Sequence, residues 1–393
     1  MTKKCNYKIL WIDVVAEPGG AQHSMFEVCR KLSEEGITVE IAIPYGVLYD
    51  RFHAAGFTIY PISPIRASKK GIALFKTVAK LLKAPHTINQ IIRVSKPDIV
   101  HTNSLSAFLT TTHVSAATPI IWHVRDLQPP SALIRPALHR AVRMITASEA
   151  IDEHFTDMLS PRHRGKLRLI RNGIDSSAFE SADKVALRAN CNLPTDRPVI
   201  GMVAHLIPWK KHDVFIEAAA LIKDKIPEAH FAIFGKDLFN ENQRYIKQLQ
   251  DLIAEKGLES SFTWISDIHQ PERIIPALDL LIHPARREPF GRIICEAMAA
   301  KVPVVAADTG GPSTIIIDYH SGRLASGGSA EQFAAIAVEL LTNHQVCAVI
   351  TANALLHVRQ SYTIARVCDQ LIHLYDEIYQ AAKSRREFKP DKY

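Results

Sequence analysis

Apolar residues in this chain come in short blocks, and their spacing changes from block to block. KILWIDVV (8–15) is a nearly unbroken apolar run, as expected of a strand covered on both faces. AQHSMFEVCRKLSEEG (21–36) brings apolar residues back every three or four positions and stops at Gly36, which predicts a helix; TVEIAIP (38–44) predicts a second strand. Together they make a βαβ unit. PDIVHTN (97–103), PIIWHVRD (119–126), MITASEA (144–150) and LRLIRNGID (167–175) repeat the theme, each a short apolar strand followed by polar or helical sequence, as in an open parallel sheet.

After a polar stretch over 176–198 the pattern restarts. PVIGMVAHL (198–206), AHFAIFG (229–235), SFTWIS (261–266), LDLLIHP (278–284) and VPVVAAD (302–308) alternate with amphipathic helices such as HDVFIEAAALIKDKI (212–226). The fold class is therefore α/β, with one parallel-sheet domain over 1–190 and a second over 191–360. SYTIARVCDQLIHLYDEIYQAA (361–382) predicts a long closing helix, followed by a charged tail to 393.

Composition supports two cores. The 393 residues are 47% hydrophobic and 22% charged, enough for two ordinary domains. Six cysteines show no Cys-x-x-Cys pair, so neither a zinc ribbon nor a disulfide framework is indicated, and reduced thiols in a cytoplasmic setting are expected. The apolar run near the N-terminus is too short for a signal-peptide core, and no stretch approaches the roughly twenty apolar residues that span a bilayer. Charge is uneven. Residues 1–180 hold 23 Lys/Arg against 15 Asp/Glu, a net of +8, whereas the remainder hold 24 against 25. Between Asp50 and Asp98 there are nine basic residues and no acid. Lys69, Lys76, Lys80 and Lys83 would share one helical stripe there, able to meet an anionic acceptor or to hold a membrane surface at about 1 kcal/mol per lysine, or else simply the solvated side of a packed helix. No nucleic-acid motif accompanies them.

Three turns carry candidate chemistry. In AEPGGAQHS, Gly19 and Gly20 sit where a strand enters a helix; they either let a ligand approach the backbone closely or serve a tight turn needing positive φ. In VAHLIPWKKHD, Lys210 and Lys211 follow the first strand of the second domain, where a lysine could neutralise a departing diphosphate or form part of a solvated pair. The third turn, REPFGRIICEAMA (287–299), sets Glu288 before a helix start and Glu296, unpaired, two turns inside an apolar helix. A helix start attracts anions, so a ligand with hydroxyls at both ends and phosphate between would suit this turn.

GGAQ after the first strand, WHVRD (122–126), RNGID (171–175), HLIPWKKHDVFIEAA (205–219) and EPFGRIICEAMAAKVPVVAADTGG (288–311) together resemble glycosyltransferase family 4, retaining enzymes of the GT-B fold. The likeness runs in order along nearly the whole chain. It implies two Rossmann-like domains facing across a cleft, with the closing helix crossing back to the first. It also implies roles: Glu288 on hydroxyls of the donor sugar, Glu296 on the ribose, and the backbone of Phe290, Gly291, Arg292 and Ile293 on the diphosphate. Lys210 would meet the phosphates, Gly20 would lie beneath them with Gly19 beside it in the donor-binding turn, and His123 would line the sugar site. Two departures stand out: His205 occupies a position where the family often has arginine, and GGPSTIIID lacks the glutamate common two residues after its proline.

The expected reaction moves a hexose from a nucleotide sugar, a UDP-sugar first and GDP-mannose second, to a glycan or lipid-linked acceptor. No Asp-x-Asp ends a strand and no His-Glu-x-x-His occurs among eighteen histidines, so no metal and no cofactor are expected beyond the nucleotide sugar as co-substrate. Retention by double displacement would need a carboxylate beneath the anomeric carbon; the resemblance implies instead same-face attack assisted by the leaving phosphate. The rivals are a nucleotide-sugar hydrolase or epimerase on the same plan, and a non-catalytic nucleotide-sugar-binding subunit.

Overall fold

The computed structural model describes residues 7–17, 19–65, 84–111, 114, 118–127, 135–179, 183–238, 240–266 and 270–387. The lysines at 69, 76, 80 and 83 lie outside them. The chain falls into two compact units: residues 1–172 with 364–393, and residues 173–363.

The first unit is built on a parallel sheet of β1 (Lys8–Ile12), β2 (Thr38–Ile43), β3 (Thr58–Pro61), β4 (Ile99–Thr102), β5 (Ile120–Val124), β6 (Ala141–Thr146) and β7 (Leu167–Leu169). Its spatial order is β3-β2-β1-β4-β5-β6-β7, so the winding reverses between β1 and β4. In register, Ile9 faces Val39 on one side and Ile99 on the other. β1, β4 and β5 are buried almost throughout, which is why they read as apolar runs instead of alternating ones. The helix Gly20–Glu34 ends where expected, with Gly36 at φ +85° and the Ile37 N–H donating to the Leu32 carbonyl at 3.0 Å, a left-handed C-terminal cap.

The second unit repeats the plan with β8 (Val199–Val203), β9 (His230–Phe234), β10 (Phe262–Ile265), β11 (Leu280–His283), β12 (Val304–Ala307) and β13 (Arg323–Ala325), in the order β10-β9-β8-β11-β12-β13. Its reversal lies between β8 and β11. These are two Rossmann-like parallel sheets.

The boundary differs from the one drawn at 190. Residues 173–190 pack with the second unit, because their polar composition conceals a short helix, Lys184–Asn190, capped by the Asp183 carboxylate. Arg188 in that helix is buried; its guanidinium donates to the Ala277 carbonyl at 2.8 Å and pairs with Asp279, while Phe179 enters the apolar core around Ile294 and Met298.

The closing helix, Ile364–Glu387, belongs to the first unit. Val367, Cys368, Leu371, Leu374, Tyr375 and Ile378 pack with Trp11, Met25, Val28 and Leu32 in one core. Leu371 is fully buried there, so Leu371→Ala should destabilise the protein by about 2–5 kcal/mol in urea unfolding. Gln370→Ala, at an exposed position next to it, should stay within about 0.5 kcal/mol of the parent.

Candidate active site

Open α/β sheets offer ligands the crevice at the carboxyl ends of their strands, where the winding reverses. In the second unit that crevice is bordered by the segments leaving β8 and β11. After β8 the chain passes His205 and makes a single 3-10 turn, Pro208–Lys210; Lys211, left-handed at φ +63°, then caps the helix His212–Lys225. Lys210 lays its ammonium over the Trp209 ring, 4.2 Å from the centroid, and pairs with the Glu288 carboxylate. His283, the last residue of β11, has its Nε2 3.1 Å from Glu288 Oε2. An ionised carboxylate only accepts, so His283 carries its proton on Nε2 and donates. Its Nδ1 is buried without a partner among the described residues.

All three side chains are largely withdrawn from water. Burial alone would raise the Glu288 carboxyl, but the Lys210 charge and the His283 N–H outweigh it and hold the group far below the usual carboxylate range. Burial keeps His283 below the ordinary imidazole value, against the pull of Glu288. His212 nearby is lowered to about 3, chiefly by burial.

The turn from Glu288 to the next helix depends on glycine. Gly291 adopts φ +96° as N-cap of Arg292–Ala299, and a Cβ there would lie 3.0 Å from Ile294 Cδ1. Gly310 and Gly311 back the same turn: the Gly311 N–H donates to the Glu288 carbonyl at 2.8 Å, and a Cβ on Gly311 would fall 2.1 Å from the Phe290 carbonyl oxygen. Phe290 and Ile293 flank that helix start, Phe290 in the core and Ile293 partly buried. Glu296 stands in the second turn, almost fully buried, and the expectation that it is unpaired is corrected here. The Arg292 Nε donates to its Oε1 at 2.6 Å, because side chains four apart on a helix lie one above the other.

In the first unit the reversal between β1 and β4 holds a buried polar network. Asp13, just past β1, accepts from Asn103 Nδ2 at 2.8 Å and from Gln22 Nε2 at 3.0 Å; Gln22 in turn accepts the Gly19 N–H at 3.0 Å. Asn103 Oδ1 accepts from Arg125 Nη2 at 2.9 Å, and Arg125 also bonds Asn172 of the RNGID segment. Burial raises the Asp13 carboxyl, and the donors from Asn103 and Gln22 restrain it. Gly19 is extended, at φ −116°, and Gly20 is not among the residues with positive φ. The tight-turn explanation therefore does not hold, and a Cβ at Gly20 would meet nothing within 4 Å among the described residues.

His123, on β5, is buried, with its Nδ1 3.1 Å from His101 Nε2; His101 Nδ1 is 2.7 Å from the Tyr375 hydroxyl. Sequence reasoning had assigned no role to His101, Tyr375, Asp13, Asn103 or Arg125. Four of these five share one visible signal: each is a polar residue at or just beyond the carboxyl end of an apolar strand.

Residues 18–178 match the family model Glycosyltransferase Family 4, and residues 183–356 match Glycosyl transferases group 1. A D-inositol 3-phosphate glycosyltransferase from Stackebrandtia nassauensis is 31% identical over 230 residues, which are 56% of this chain and 51% of that one. The chain thus matches about half the length of this curated relative. Among solved structures, HepE from Anabaena in complex with UDP-glucose superimposes with a TM-score of 0.81 at 24% identity, over 95% of this chain and 100% of that one. Sucrose-phosphate synthase from Thermosynechococcus elongatus gives 0.77 at 19% identity, over 96% and 100%. Both share this fold.

Two outcomes follow from the buried charges. Lys210→Met strands the Glu288 carboxylate and should cost about 3–5 kcal/mol in denaturant unfolding, while adding Glu288→Gln should recover most of it. Burial, with Arg125 nearby, holds His101 and His123 well below the usual imidazole range, so they stay neutral in the native state while the unfolded chain protonates them near pH 6.5. The unfolded state then binds more protons, and stability falls as pH is lowered. Between about pH 7.5 and pH 5.5 the loss should be roughly 1 kcal/mol per histidine, and His123→Gln should reduce the slope.

Proposed function

Because the chain belongs to the glycosyltransferase family 4 enzymes of the two-domain GT-B fold, we propose that it moves a hexose from a nucleotide diphosphate sugar to a glycan or glycolipid acceptor, with retention at the anomeric carbon. The observation that carries this reading is the cluster of Lys210, Glu288 and His283 at the β8/β11 reversal, beside a helix start opened by Gly291. A structural neighbour holding UDP-glucose supports a UDP-sugar as donor.

In this reading Lys210 rests on Glu288 until a diphosphate arrives. Its ammonium has three donors, so it can bridge the carboxylate and a phosphate oxygen together. The helix start at Arg292 and Ile293 adds backbone N–H groups, and the charge that develops on the departing nucleotide is met by fixed dipoles and one lysine, the work a divalent cation does elsewhere. Glu288, ionised and held by His283, accepts from sugar hydroxyls. Glu296, steadied by Arg292, accepts from the ribose. The acceptor hydroxyl attacks from the face the nucleotide leaves, and a phosphate oxygen takes its proton. An acceptor bearing phosphate suits the basic first half, and relatives named for inositol 3-phosphate support that class.

The first test is thermal-shift screening against uridine, guanosine and adenosine diphosphate sugars; a donor at a hundred times its Kd should stabilise by about 2.7 kcal/mol. With that donor, Lys210→Ala should lower kcat by about 10²–10³, and NMR of the product should show the donor's anomeric configuration. An inverted product, or turnover indifferent to Lys210, would sink the reading.

A further inference from the structure

Three neutral groups from three elements form a line inside the first unit. Tyr375 stands on the closing helix, His101 on β4 and His123 on β5. The first contact, hydroxyl to His101 Nδ1, measures 2.7 Å, and the second, His101 Nε2 to His123 Nδ1, 3.1 Å. His101 is clamped flat against the Trp11 indole, ring centroids 3.6 Å apart and 12° from coplanar, so it cannot turn to exchange its nitrogens. Beyond this line His123 Nε2 is buried and has no partner among the described residues. A buried ring nitrogen left over at the end of a satisfied chain is costly unless a ligand completes it.

The direction of the line follows from its first member. A phenol is a better donor than acceptor, an imidazole nitrogen accepts well, and burial raises the Tyr375 hydroxyl far above its ordinary range, so it keeps its proton. Tyr375 therefore donates to His101 Nδ1. A neutral imidazole has one N–H, which places the His101 proton on Nε2, donating to His123 Nδ1, and leaves the His123 proton on Nε2. Arg125 and burial disfavour a second proton on either ring.

We propose that Tyr375 and His101 are positioning residues that lock His123 in the Nε2–H tautomer, so that His123 presents a hydrogen-bond donor to a substrate oxygen and does not serve as a proton acceptor. The lock is a property of the protein alone; the use made of it rests on the transferase reading. Each bond in the line also polarises the next, which strengthens the terminal N–H as a donor.

The test uses the full chain with ¹⁵N-labelled histidine. NMR of the free protein should show His123 protonated at Nε2 and bare at Nδ1. Tyr375→Phe keeps the ring and its packing but removes the donor, and should convert His123 to a mixture of tautomers. In the same variant kcat should fall roughly fivefold, the factor one neutral hydrogen bond carries, with the donor KM little changed. His123→Gln, whose amide also donates, should retain more turnover than His123→Leu. A proton on His123 Nδ1 in the parent protein, or a tautomer unmoved by Tyr375→Phe, would overturn the lock whatever reaction the protein performs. An intact Nε2–H in a protein that turns over no nucleotide sugar would overturn the transferase reading and leave the lock standing.

Discussion

A carboxylate removed from water has to be met by a cation or by donors, and Glu288 is met by both. Lys210 reaches it from the segment after β8, and His283 from the end of β11. Unpaired, such a charge costs several kcal/mol, so the pairing ties together two segments that meet only because these strands are neighbours. The surrounding backbone serves the same end. Gly291 turns the chain where a side chain would be strained, and Gly310 and Gly311 let a second loop press against residues 288–290. The pairing also holds an ionised acceptor and a cation side by side at the β8/β11 reversal.

The first unit solves a related problem by different means. Its reversal is filled by neutral amides around one acid and one guanidinium: Gln22 on Asp13, Asn172 on Arg125, and Asn103 between the two. Asn103 links the two charges, accepting from Arg125 with its carbonyl and donating to Asp13 with its amide. Such a network is stiff, because each member has its position set by two others. It holds Arg125 near both ring histidines, and that charge is part of what keeps them neutral.

Much of this fold was legible in the order of apolar runs. The buried parallel strands announced themselves because both their faces are covered. β3 and β13 did not: they are four and three residues long, and the mixed composition of TIYP and RLA leaves no period to detect. Residues 173–190 were misplaced because polar sequence looks like a linker until Arg188 finds Asp279. At the site, Glu288, Lys210, Gly291 and Glu296 could be picked out by local context, and the Arg292–Glu296 pair was readable in principle from a four-residue spacing. The line from Tyr375 to His123 was not. Its outer members are 252 positions apart in sequence, and only the packing of the closing helix brings them together.

That helix imposes an order of events on synthesis. The core around Trp11, Met25 and Leu32 lacks Leu371 and Tyr375 until the ribosome has made the whole of 173–363. At about 5–20 residues per second the interval is roughly 10–40 s, during which one flank of the first sheet stays open while the second unit has everything it needs to close. Of the two units, the one begun earlier is thus completed later, and cells making this protein have an apolar surface to shield during that wait.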